Sequence, residues 1–211
     1  MLRLGVLGSG SGTNLQAILN AIEWGGLKVE VVCVLSDVED AFILERARNH
    51  EVSEYVVDCG PSRSKLEGAA EQRVLELLME HNADAVALAG FMRIVKKPII
   101  EAFPGRVLNI HPSLLPAFPG LNACKQALEY GARFSGCTVH FVDSGVDTGP
   151  IILQKSVPVL PQDTLQTLQE RVHEQEHIAY PEALQLLAED RLTIEGRLVR
   201  IKPAPETSVL R

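Results

Sequence analysis

The sequence predicts an α/β fold with a mostly parallel central sheet flanked by helices. Three observations carry that expectation. Short runs rich in branched apolar residues alternate with helical patterns, a glycine-rich turn joins the first run to the first helical pattern, and a Pro- and Gly-rich loop follows the fifth run. The 211 residues, 46% hydrophobic and 22% charged, suit one compact domain or two closely packed lobes and argue against disorder. No internal repeat, low-complexity tract or linker interrupts them.

The first strand is read at 2–7 and the first helix at 13–23. Between them run Gly8-Ser9-Gly10-Ser11-Gly12-Thr13-Asn14. Glycines let a backbone approach a ligand closely, and a helix N-terminus offers unpaired N–H groups to a phosphate. The dinucleotide fingerprint GxGxxG fails because Thr13 stands at its last position, and no GK[ST] follows. A phosphate monoester site fits the loop, as does a plain turn with Thr13 or Asn14 capping the helix, and the two are compatible.

Further strands are read at 29–35, 54–57 and 85–89, with helices at 41–49 and 65–81. The strand at 107–110 runs into Asn109-Ile110-His111-Pro112. Side chains alternate with period two, so Asn109 and His111 share one face while Leu108 and Ile110 take the other. Pro112 cannot donate to a sheet ladder and biases His111 towards extended backbone, which puts the pair at the strand's carboxyl end. Open α/β sheets carry their active sites there. The segment 112–120 then reads as an active-site loop.

A helix at 123–130, strands at 137–142 and 151–157, and a long helix at 164–188 complete the pattern, and 193–201 pairs as a hairpin turning at Glu195-Gly196. Thr138 and His140 alternate on one strand face and are expected to line the same cleft as Asn109 and His111, with structural packing as the competing explanation. In the long helix Leu165, Leu168 and Val172 step along one face, and the stripe continues to Glu176. A carboxylate in that position needs a partner. Asp147-Thr148-Gly149-Pro150 supplies a further acid, equally suited to forming a turn.

A formal net charge of -7 without a Lys/Arg block argues against a nucleic-acid surface. No secretory signal pattern or bilayer-length apolar stretch is present, so a cytoplasmic protein without membrane partners is expected. Cys33, Cys59, Cys124 and Cys137 show no CxxC spacing, which argues against a zinc cage or redox pair, and no metal is expected.

Four motifs stand in one order: Ser9-Gly10-Ser11-Gly12-Thr13-Asn14-Leu15-Gln16-Ala17, Ala89-Gly90-Phe91-Met92-Arg93-Ile94, Asn109-Ile110-His111-Pro112-Ser113-Leu114-Leu115-Pro116 and Asp147-Thr148-Gly149-Pro150-Ile151. Together they closely resemble the phosphoribosylglycinamide formyltransferases, folate-dependent enzymes of de novo purine biosynthesis. Glu176-His177 and Tyr180-Pro181 also fit. The resemblance implies a Rossmann-like formyltransferase fold. It makes 1–211 a single domain, in which a half at about 1–105 binds phosphate and a half at about 106–211 completes the folate site. It implies formyl transfer from 10-formyltetrahydrofolate, as co-substrate, to the amine of 5'-phosphoribosylglycinamide. Partners are then small molecules, and a homodimer is compatible with the sequence.

By the same resemblance Asn109, His111 and Asp147 are catalytic, Gly12, Thr13 and Asn14 hold the phosphate, and His173 and Glu176 meet the rest of that substrate. Folate falls to Lys65, Met92, Arg93, Ile94, Val95 and Asn109 together with Asp143, Ser144, Gly145, Val146 and Asp147, while Thr138 and His140 support the cleft. Arg63 competes with Lys65 for the folate tail, and both also suit plain solvated charges. Chemically, Asn109 is a donor that does not titrate, suited to a developing oxyanion, and histidine, as at 111, can hold or shuttle a proton near neutral pH, which suits the departing folate nitrogen. Asp147 favours the protonated imidazole, directly or through a water. One departure stands out: Asn122 and Cys124 occupy positions where many relatives carry histidine, so those histidines' roles do not transfer.

Alternatives are a formyltetrahydrofolate hydrolase, which adds an N-terminal regulatory domain, whereas the catalytic pattern here begins at residue 1, and a non-catalytic folate-binding module. Methionyl-tRNA formyltransferase fits less well, given the length and acidic charge, and a dinucleotide oxidoreductase lacks its fingerprint.

Overall fold

A computed structural model of the chain describes residues 1–60 and 64–204. These build a nine-stranded sheet of β1 (Leu2–Leu7), β2 (Val29–Ser36), β3 (Glu54–Val56), β4 (Ala85–Leu88), β5 (Val107–His111), β6 (Phe134–Phe141), β7 (Ile151–Pro158), β8 (Leu192–Glu195) and β9 (Leu198–Ile201). Their order is β3-β2-β1-β4-β5-β6-β7-β9-β8. The first five in that order are parallel, while β6 runs antiparallel to both β5 and β7. The chain leaves β1 towards β2 and returns on its other side as β4. That reversal opens a crevice at the strands' carboxyl ends, where α/β sheets take ligands.

Helices α1 (Thr13–Glu23), α2 (Phe42–Asn49), α5 (Ala123–Tyr130) and α6 (Leu165–Ala188) put side chains into the core on one face. On the other face α3 (Ala69–Glu80) and α4 (Lys97–Ala102) pack over Leu7, Leu35, Val86 and Val107. With both faces covered, β4 is buried at every position. That explains why the central strands read as unbroken apolar runs rather than alternating ones.

Several boundaries differ from expectation for local reasons. α3 opens at Ala69, not at 65, because residues 64–66 run extended along Ile94, with Ile94 N–H bonded to Ser64 O at 3.0 Å and Leu66 N–H to Ile94 O at 3.1 Å. α4 was not foreseen: its six residues, opened by Pro98, are too few to show a period. β6 starts at Phe134, before the expected 137, since its Gly136 accommodates Lys155 O only 2.0 Å from where a Cβ would stand. The last hairpin turns at Gly196-Arg197, one residue later than read, with Gly196 at φ +63°. Thr164 caps α6 rather than belonging to it, its hydroxyl accepting Thr167 N–H at 3.2 Å while Thr167 Oγ1 accepts Thr164 N–H at 3.0 Å. Leu165 is exposed, whereas Leu168, Val172 and Glu176 form the buried stripe.

Candidate active site

The glycine loop leaves β1 and turns sharply into α1. Gly12 is the N-cap at φ +69°, and a Cβ there would stand 2.7 Å from Ile43 Cα, so neither the backbone angle nor the space suits another residue. Neither Thr13 nor Asn14 caps α1 with its side chain, contrary to the capping alternative. The loop is fixed from behind instead: Ile43 N–H bonds to Gly10 O at 3.0 Å and Arg46 Nε to Ser11 O at 2.8 Å.

Asn14 instead reaches across the crevice, donating Nδ2 to Glu176 Oε2 at 2.8 Å, while its buried Oδ1 has no protein hydrogen-bond partner. Glu176 is only 4% exposed. Burial pushes its pKa up, against the opposing Asn14 hydrogen bond and the nearby His173. Burial also drives the flanking thiols of Cys124 and Cys137 up to about 11 and about 12, with the Glu176 charge adding to both. These thiols are inert packing groups at neutral pH.

Antiparallel pairing sets Asn109 opposite His140 and His111 opposite Thr138, so all four face one side of the sheet. His140 fixes its ring by bonding Nδ1 to Phe141 O at 2.8 Å, leaving Nε2 3.2 Å from Asn109 Nδ2. Asp147 enters from the loop between β6 and β7 in a left-handed backbone conformation, φ +54°. Its Oδ1 lies 3.4 Å from Asn109 Nδ2, and its Oδ2 lies 3.3 Å from His111 Nδ1 and accepts Gly120 N–H at 2.8 Å. His111 Nε2 meets Phe118 O at 2.9 Å. Both ring nitrogens therefore face oxygen acceptors, a setting fully satisfied only when the imidazole carries two protons. Burial works against ionising Asp147, but His140 beside it, the Gly120 N–H and the adjacent His111 outweigh that and hold its carboxyl below the ordinary aspartate range.

Thr138 does not line the cleft. It is fully buried beneath the 112–120 segment, where its hydroxyl donates to Ser113 O at 2.6 Å and accepts Leu115 N–H and Gln154 Nε2, each at 3.0 Å.

These groups surround one cavity of about 580 Å³. Its lining includes Gly12, Thr13, Asn14, His173 and Glu176, then Met92, Arg93, Ile94 and Val95, and also Asn109, His111, His140 and Asp147 with Asp143, Gly145 and Val146. Asp143 pins its own loop, accepting Gly145 N–H at 3.0 Å and Thr148 Oγ1 at 2.6 Å. Two folate candidates lie outside the lining. Lys65 is held by its backbone bridge to Ile94, with Ser64 taking the lining position, and Ser144 is exposed at the loop tip. Arg63 falls outside the described residues. Asn122, the N-cap of α5 at φ +60°, and Cys124, bonded through Sγ to Pro112 O at 3.6 Å, both line the cavity.

Sequence reasoning missed the Phe118 carbonyl and Gly120 N–H, backbone groups that carry no residue-type signal. Among the described residues no group of three or more His, Cys, Asp or Glu side chains is placed to hold a metal ion. No helix among them is long and apolar enough to cross a membrane.

The sequence profile of the formyl transferases matches residues 2–184. A curated phosphoribosylglycinamide formyltransferase of Bacillus subtilis is 37% identical over 187 residues, 89% of this chain and 95% of that protein. The trifunctional purine biosynthetic protein adenosine-3 of Chironomus tentans is 46% identical over 188 residues, and the match spans only 14% of that protein's length. Among solved structures, glycinamide ribonucleotide transformylase 1 of Symbiobacterium toebii superposes with a TM-score of 0.91 at 54% identity, covering 96% of this chain and 95% of that one. The chain belongs to the formyl transferase family.

Proposed function

We propose that this chain transfers the formyl group of 10-formyltetrahydrofolate to the amine of 5'-phosphoribosylglycinamide, a step of purine biosynthesis. The observation that carries the proposal is the meeting of Asn109, His111 and Asp147 in one cavity that also holds an uncapped helix N-terminus and a buried glutamate. The relatives named for this activity support it.

In this reading the phosphate sits against Gly12, Thr13 and Asn14, where α1 presents free N–H groups. Glu176, with His173 nearby, receives the amine end. The pterin lies along 92–95, an apolar wall whose backbone groups read its edge. The amine nitrogen attacks the formyl carbon and a tetrahedral intermediate forms, its oxyanion accepting from Asn109 Nδ2. Collapse breaks the bond to the folate nitrogen, which takes the proton stored in the His111–Asp147 pair, while the surplus proton of the attacking amine restores that pair. No step calls for a metal. The partners in this proposal are the two small-molecule substrates, a homodimer is compatible with it, and we place the chain in the cytoplasm.

The test is to incubate purified protein with 10-formyltetrahydrofolate, with and without phosphoribosylglycinamide, and to measure formate and formylated amide separately. The proposal expects amide formed only when the amine is present. Formate released without the amine would make the chain a hydrolase, and saturable folate binding without turnover would make it a binding module.

A further inference from the structure

Two lining segments of this cavity are tied together by a side-chain cluster of Ser9 and Asp37, which stand outside the lining, and Arg93, which belongs to it. The Ser9 hydroxyl, two residues past β1, donates to Asp37 Oδ1 at 2.5 Å and accepts Met92 N–H at 2.9 Å. The other oxygen of Asp37 accepts Arg93 Nε at 2.6 Å. The Asp37 and Arg93 side chains are 7% and 8% exposed. Ser9 N–H adds a bond to Gly90 O at 3.1 Å. Three sheet neighbours, β2, β1 and β4, thus have their carboxyl ends joined through one carboxylate.

Burying an ion pair costs desolvation that its attraction barely recovers, so such a pair is weak evidence for stability. The geometry here has two beneficiaries. From Ser9 the glycine loop continues into the lining residues 10–14, and from Met92 the chain continues through the lining residues 93–95. Charge-assisted bonds of this length hold both segments with little play.

We propose that Asp37 is a positioning residue that clamps the glycine loop and the 92–95 wall into one unit, so that each substrate's affinity depends on the same carboxylate. The ligand part rests on the functional proposal above, which assigns the loop to the phosphorylated amine and the wall to the folate. Ser9 lies outside the cavity lining, yet its loss releases Met92 N–H and one oxygen of Asp37. A glycine-loop substitution therefore weakens folate binding.

The experiment compares the intact chain with Ser9→Ala, Asp37→Asn and the double variant. Hydrogen exchange without ligand comes first, and the clamp expects faster exchange in both 8–14 and 90–95 for each single variant. Faster exchange in one segment alone, or in neither, overturns it. Calorimetric titration follows with 10-formyltetrahydrofolate and, separately, phosphoribosylglycinamide. Each single variant should weaken both ligands about tenfold, the scale of one hydrogen bond to a charged partner, and the double variant no more than the stronger single one. Loss confined to phosphoribosylglycinamide in Ser9→Ala, or losses that multiply in the double variant, would also overturn it. If Asp37→Asn does not fold, Ser9→Ala decides alone, since it leaves the ion pair in place. A wild-type chain that binds neither ligand contradicts the functional proposal, while the exchange result still judges the clamp.

Discussion

Asp147 Oδ2 lies 3.3 Å from His111 Nδ1 while also accepting the Gly120 N–H at 2.8 Å, so one carboxylate oxygen serves both the imidazole and the segment that crosses over it. The ionised state of Asp147 is favoured by these neighbours and by His140, against the burial that opposes it. On the proposed mechanism, replacing either Asp147 or His111 removes the proton store without opening a large cavity.

His111→Asn and Asp147→Asn are each expected to lower kcat by about 10²- to 10⁴-fold, the range for a lost general acid, with melting temperature little changed. Steady-state kinetics beside thermal melts checks this. Turnover within a few-fold of wild type would remove that residue from the mechanism.

Asn109→Ala should lower kcat by about 10²- to 10³-fold through loss of an oxyanion donor. KM for both substrates should move little, because the donor matters when charge develops on the formyl oxygen. A rise in KM with kcat intact would instead mark Asn109 as a ground-state binding group.

Glu176 predicts a pH dependence of stability. Burial raises its folded-state pKa above the unfolded glutamate value, so between the two the folded chain holds the extra proton. Stability contributed by that proton is complete below the ordinary glutamate range and declines as pH rises towards the raised value. Glu176→Gln should flatten this decline in melts taken across pH and should raise KM for phosphoribosylglycinamide more than for the folate. A variant whose melting curve keeps the wild-type slope would contradict the assignment.

Gly12→Ala is expected to destabilise the chain by about 1–3 kcal/mol through its left-handed backbone angle, with more from the collision with Ile43. Thr138→Val should cost about 1–3 kcal/mol, because it strands Leu115 N–H and Ser113 O in the interior. The melting temperature should fall by roughly 2–4 °C for each kcal/mol in a chain of this size. An unchanged melting temperature in Thr138→Val would mean that the 112–120 segment is anchored elsewhere.

The sequence made some of this legible and hid the rest for physical reasons. The facing of Asn109 and His111 followed from period-two alternation and Pro112, both local properties, and the mostly parallel sheet followed from alternation of strand and helix patterns. α4 stayed hidden because six residues carry no helical period, and the strand-like course of 64–66 because Leu66, buried in the core, mimics a helix stripe. The bonds from Phe118 O and Gly120 N–H to His111 and Asp147 were out of reach, since any residue could supply them. Asp37 was visible as a residue but not as a clamp, because its partners Ser9 and Arg93 lie far from it along the chain.

The most direct test of the central claim is to follow the formyl carbon itself. With 10-formyltetrahydrofolate labelled at that carbon and phosphoribosylglycinamide present, NMR should show the label passing one-for-one into the glycinamide amide as tetrahydrofolate appears. Label accumulating as formate, or remaining on the folate with the amine saturating, would contradict it.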